Sequence, residues 1–166
     1  SNSLLPKVNP YDLVMTKIYE DFVANFYKHH LTGWRITPQK VFEWHQRNED
    51  QFLPKMQPDL LLENPETGRT FILDTKFTSQ TSTTQYGSEK YKSSHLYQIY
   101  TYMKTQDCHP DQKRVDTGIL LYPKTSQSAL NTTIELHGQD IRISCIDLSE
   151  PWQQIERNLL NLVSEI

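Results

Sequence analysis

At 166 residues, 36% hydrophobic and with a formal net charge of −3, the chain suits one folded unit with a sizeable core rather than a disordered segment. A net negative chain does not hold nucleic acid by bulk electrostatics, although a local basic groove stays open to it. No apolar run reaches the ~18 residues of a membrane span and the first residues lack signal-peptide organisation, so no membrane partner and a cytoplasmic location are expected.

Ser1-Asn2-Ser3 reads as an expression scar, which leaves residues 4–166 as a single expected domain. Asn9-Pro10-Tyr11-Asp12 predicts a helix start, with Asn9 as cap, Pro10 at the first position and Asp12 at the positive end of the helix dipole. Val14, Ile18, Phe22 and Phe26 recur at a spacing of four and predict an apolar stripe, with Glu20 well around the helix and Gly33 as the stop. β-Branched and aromatic content predicts strands over 34–45, 56–63 and 70–77, the last two joined by a turn at 64–69. Residues 80–94 are polar and turn-rich and read as a mobile loop. A helix is expected over 91–104, broken at His109-Pro110. Strands follow at 118–122, 132–136 and 141–146, and a closing helix at 151–163. A strand-helix-strand crossover makes the class α/β, with a mixed sheet flanked by helices.

The stretch PDLLLENPETGRTFILDTK, residues 58–76, puts charge into a pair of apolar strands. If they pair without a bulge, Glu63 faces Thr70, Asp59 falls opposite Asp74, and Lys76 stands one step further on the same face. Leu60, Leu62, Phe71 and Leu73 then share the other face and supply a core reason for the hairpin. Opposed carboxylates destabilise a sheet unless something positive intervenes. A divalent cation of the magnesium or manganese type answers that need, and no His or Cys cluster points to zinc. For the short Asp-Thr-Lys run alone, the plainer reading is a solvated edge with a salt bridge from Lys76 to either aspartate.

Taken together, IYEDFV at 18–23, MQPDLLL at 56–62, ILDTKF at 72–77, HLYQIYTYM at 95–103 and GILLYP at 118–123 resemble, in order, the PD-(D/E)XK nuclease superfamily. Within it the similarity is greatest to the nuclease domain of McrC-type subunits of McrBC methylation-dependent restriction systems. The resemblance implies a restriction-endonuclease-like core of order α-β-β-β-α-β, followed by extra strands and a carboxy-terminal helix. It implies that Asp59, Asp74 and the Thr75 carbonyl bind Mg2+, with Mn2+ as a substitute, that Glu20 is a further ligand or metal-water partner, and that Lys76 positions the attacking water. The implied reaction is hydrolysis of a DNA phosphodiester. Gln98 and Tyr102 match a Gln-x-x-x-Tyr pattern found in several branches of the superfamily, and one helical turn puts both side chains on one face. Tyr102 taken alone suits core packing equally.

Such subunits usually carry a further amino-terminal region that meets a partner GTPase, so an isolated nuclease domain, or a smaller relative with another partner, is expected here. With no nucleotide-binding glycine loop, any translocation would come from a separate McrB-like GTPase chain. Two other readings stand beside this one, a RecB-type DNA repair nuclease and a non-catalytic binding module on the same fold. Lys90, Lys92 and His95, interleaved with Tyr86, Tyr91 and Tyr97, read as a solvated loop or a DNA-contacting edge. His29, His30, His45 and His109 lack ligand spacing, Trp34, Trp44 and Trp152 read as core anchors, and Cys108 and Cys145 as unpaired thiols.

Overall fold

The computed structural model describes residues 10–77, 82–85, 88–91, 93–124 and 131–164, with backbone alone at 82–85 and 88–91. The elements are α1 (Pro10–His30), β1 (Arg35–Pro38), β2 (Leu60–Glu63), β3 (Thr70–Thr75), β4 (Ser82–Gln85), β5 (Ser88–Tyr91), α2 (Ser93–Cys108), β6 (Thr117–Pro123), β7 (Asn131–Leu136), β8 (Gln139–Ile146) and α3 (Trp152–Asn161). Asn9, Tyr86 and Lys92, and the side chains of Lys90 and Tyr91, lie outside what is described.

Six strands form one mixed sheet in the order β1-β2-β3-β6-β8-β7. β3, β6 and β8 run parallel at its centre, and the remaining pairs are antiparallel. A parallel pair needs a crossover, and α2 supplies it between β3 and β6. The result is an α/β sheet covered on both faces, consistent with a restriction-endonuclease-like fold.

One face packs α1 and α3 over Leu60, Leu62, Phe71, Leu73, Ile119 and Leu121. The other packs Ile99, Tyr102 and Met103 of α2 over Ile72, Leu120, Tyr122 and Ile143. Gly118 lets α2 come close, for a Cβ there would lie 2.7 Å from the Met103 sulfur and 3.0 Å from Ile99. Tyr27 ties the helices of the first face together by donating its hydroxyl to the Leu159 carbonyl at 2.7 Å.

The β2–β3 register has Glu63 opposite Thr70 and Leu60 opposite Leu73, as alternation predicts. The turn between them closes through the Asn64 N–H on the Arg69 carbonyl, with Gly68 at φ 74°. Three expectations need correction. The first strand ends at Pro38 rather than His45, because Gln39 takes φ 54° and turns the chain out of the ladder. The apolar stripe of α1 is shifted: Tyr19, Val23, Phe26 and Tyr27 are buried, while Val14 and Ile18 are 57% and 53% exposed. Residues 80–94 are not all loop, since the backbones of β4 and β5 pair as an antiparallel ladder and α2 starts at Ser93. Among the tryptophans, Trp34 stacks on Phe71 and Trp44 bonds the Pro54 carbonyl, whereas Trp152 is about half exposed beside Phe22 and Phe26. Cys108 and Cys145 are free thiols.

Candidate active site

β2 begins at Leu60, one residue after Asp59, and β3 runs on past that end of it to Thr75. Carried one step beyond Leu60–Leu73, the register sets Asp59 opposite Asp74. There the ladder changes partners. The Asp59 N–H donates to the Asp74 carboxylate at 3.0 Å, and the Thr75 N–H and hydroxyl both donate to Asp59 Oδ2 at 2.8 Å. Side-chain oxygens thus replace the carbonyls a longer β2 would have offered. Thr70 and Lys76 bond toward β6 through their backbones, while the Thr75 N–H bonds toward Asp59. Strand alternation therefore aims the Thr75 carbonyl to the side where β2 has ended.

Lys76 bridges sheet and helix. Its Nζ donates to Gln98 Oε1 at 2.6 Å and lies 3.5 Å from Asp74 Oδ2. Gln98 in turn donates to the Tyr102 hydroxyl at 3.0 Å. These groups surround a cavity of about 270 Å³ lined by Glu20, Asp59, Asp74, Thr75, Lys76 and Gln98, together with Thr16, Gln57, Phe77 and His95. Tyr102 is not at the cavity wall but stands behind Gln98, 7% exposed. A larger concavity of about 1140 Å³ is formed by residues 41–55 with His109 and Asp111. It draws no side chain from the six-stranded sheet, whereas the smaller one is lined by Asp74 and Thr75 of β3.

The electrostatics follow from burial. Asp74 is 3% exposed, and burial pushes its carboxyl above the ordinary carboxylate range. Lys76 pulls it down, Asp59 pushes it up, and the Asp59 N–H pulls it down again. Burial likewise raises Glu20, with Asp59 adding to the effect and Lys17 opposing it. Burial, then the Asp74 charge, raises the Tyr102 phenol.

Asp74 Oδ2 is fully buried and has no hydrogen-bond partner. A buried carboxylate oxygen left so is costly, and Lys76 at 3.5 Å answers it only as a charge. Oxygen donors without nitrogen or sulfur suit a hard divalent cation. Among the described residues no three His, Cys, Asp or Glu side chains gather closely enough to hold a metal ion. The oxygens at this end of the ladder that could serve a cation are the Asp59 and Asp74 carboxylates and the Thr75 carbonyl. That fits magnesium, which commonly takes one or two carboxylates and completes its shell with water and phosphate oxygens.

The sequence had brought Glu20, Asp59, Asp74, Thr75, Lys76 and Gln98 together, and the structure gathers all of them. It adds Thr16, Gln57 and His95 at the cavity wall and Gln39 behind Asp59. Helical spacing carries a signal for two of these, since Thr16 lies one turn before Glu20 and His95 one turn before Gln98. Gln57 precedes the Pro58-Asp59 pair, while Gln39 reaches Asp59 through a φ that carries no sequence signature.

An α/β protein with a mixed six-stranded sheet of this order, flanked by helices, is consistent with the restriction-endonuclease-like class of fold. The family follows from residues 13–123, which match the McrBC 5-methylcytosine restriction system component. The chain belongs to that family. It is 26% identical over 155 residues to the "Type IV methyl-directed restriction enzyme EcoKMcrBC" of Escherichia coli (strain K12). The match covers 91% of this chain and 43% of that protein, so the chain spans less than half the length of its relative. No helix among the described residues is long and apolar enough to cross a membrane.

Proposed function

We propose that this chain is the metal-dependent DNA endonuclease part of a McrBC-like restriction system. The buried Asp74 Oδ2, opposite Asp59 and with no hydrogen-bond partner, carries this reading. Asp59, Asp74 and the Thr75 carbonyl would hold Mg2+ or Mn2+, with Glu20 across the cavity as a partner for metal-bound water. Such an ion, when bound, stabilises charge on the phosphate oxygens and lowers the pKa of a coordinated water.

The chain's own groups prepare the rest. Gln98, steadied by Tyr102, fixes the Lys76 ammonium beside Asp74, where it orients the attacking water by donating to it. Asp59, clamped by two donors from Thr75, keeps its carboxylate from rotating out of line. Family membership favours restriction over RecB-type repair, and a separate McrB-like GTPase would supply movement along DNA.

The test is cleavage of methylated and unmethylated plasmid in magnesium, with a McrB-like partner present and absent, by the wild type and by Asp74→Ala and Lys76→Ala. Cleavage lost in both variants is the expected result. Cleavage that survives both substitutions places the chemistry elsewhere. Duplex binding without cleavage under every condition would instead support the non-catalytic module.

A further inference from the structure

Resting on the nuclease reading, we propose that Gln39 is a positioning residue for the cation site: its side-chain amide holds one oxygen of Asp59 while Thr75 holds the other, so the carboxylate is set before a cation arrives. β1 pairs with β2 as far as Pro38 opposite Leu60, and one step further the register brings Gln39 opposite Asp59. The Gln39 N–H donates to the Asp59 carbonyl at 2.9 Å, and its Nε2 donates to Asp59 Oδ1 at 3.3 Å. Only the amino end of an amide can face a carboxylate oxygen. Backbone and side chain of one residue thus grip backbone and side chain of the other.

Conformation singles Gln39 out. Its φ of 54° lies in the left-handed region, which is unfavourable for any residue with a Cβ. The chain uses glycine for the positive φ at Gly33, Gly68 and Gly138. Glycine or asparagine would turn the exposed backbone at position 39 with less strain, so the turn itself does not call for glutamine. What glutamine adds is a side chain long enough to reach Oδ1. The strained backbone is held from both sides, by its own N–H on Asp59 and by Gln57 Nε2, which donates to the Gln39 carbonyl at 2.8 Å.

The effect on Asp59 follows from its hydrogen-bonding capacity. The Thr75 N–H and hydroxyl both donate to Oδ2, which fills the two lone-pair directions of that oxygen. Among the described residues Oδ1 accepts from Gln39 alone, so it keeps capacity for a cation. A carboxylate held at one oxygen can swing about its Cβ–Cγ bond, whereas one held at both has its plane fixed. A neutral amide does this without a positive charge that would compete with the cation. Hydrogen bonds that orient a metal ligand from outside are typically worth about ten- to a hundredfold in metal affinity. At 3.3 Å and exposed, this one belongs at the lower end of that range and adds little to folding stability.

The experiment titrates Mn2+ onto the full chain with a short duplex present, read by water-proton relaxation against the duplex alone, and melts each metal-free protein in parallel. Gln39→Gly and Gln39→Asn should each weaken Mn2+ binding about tenfold, the asparagine because its amide is one methylene too short. Both should melt at or above the wild-type temperature without metal, since both residues accept a φ of 54° more readily. In spectra of the metal-free wild type, one Gln39 Nε2 proton should lie downfield, and Asp59→Ala should return it to the position of a solvated amide. Wild-type Mn2+ affinity in both variants, or a solvated Gln39 amide in the wild type, overturns the assignment and leaves the cation site standing. Weaker binding joined to a lower melting temperature in both variants also overturns it, by making Gln39 a support of the fold. A wild type that binds no Mn2+ removes the nuclease reading as well.

Discussion

The two faces of the β2–β3 hairpin are built from alternate residues of the same strands, yet they do opposite work. Leu60, Leu62, Phe71 and Leu73 lie under α1 and α3, each at most 1% exposed. On the other face Ile72 is as deeply buried, but Asp74 and Lys76 follow it at the open end of the ladder beside Asp59. One face is satisfied by packing and ends with the sheet. Its counterpart runs from core into charge within a few residues, and there stability is given up for a carboxylate oxygen that lacks a hydrogen bond. The difference teaches where a site can grow on a covered sheet: at the strand end, where backbone groups lose their ladder partners and side chains take them over.

Substitutions on the two faces should therefore separate activity from stability. Asp74→Asn should lower the cleavage rate by more than about a thousandfold, since a metal-held charge contributes several kcal/mol to the transition state. Its metal-free melting temperature should match or exceed that of wild type, because a buried charge is removed while the Asp59 N–H keeps an acceptor. Leu62→Ala should do the reverse, costing about 2–5 kcal/mol in denaturant unfolding with little change in activity per folded molecule. Equal stability losses from both substitutions would erase the distinction between the faces.

Smaller effects sharpen it. Lys76→Met should cost about a hundredfold in rate, the scale of one preorganised donor. Gln98→Ala, which frees Lys76 to move, should cost about tenfold, the worth of one hydrogen bond to a charged group. The smallest effect is on pH. Burial raises the folded-state values of Asp74 and Glu20, so the native protein binds more protons than the unfolded chain just above the ordinary carboxylate range. Their contribution to stability is fully present below that range and is lost as pH rises through the raised values. Melting of the metal-free protein should thus weaken across that window, Asp74→Asn should flatten the slope, and a divalent cation should offset it increasingly as the proton leaves.

Much of this hairpin was legible because strand alternation is a strict period of two and the turn at 64–69 pins the register. Helix α1 was harder. A row at a spacing of four winds about 40° per step around a helix of 3.6 residues per turn, so Val14 and Ile18 leave the face that Phe26 joins. The core face instead mixes spacings through Tyr19, Val23, Phe26 and Tyr27. The β4–β5 ladder was hidden by polar composition, although Thr83, Thr84 and Tyr91 are residues that strands accept. His95 was read with the neighbouring polar stretch although the helix expected over 91–104 already contained it, and its place at the cavity follows from standing one turn before Gln98.

The central claim is that Asp59 and Asp74 form one cation site, and Mn2+ titration in the presence of a short duplex, followed by thermal melting, tests it directly. The wild type should gain stability saturably, and Asp59→Asn and Asp74→Asn should each abolish that gain. Equal stabilisation of all three proteins, or none of the wild type at millimolar Mn2+, would contradict the account.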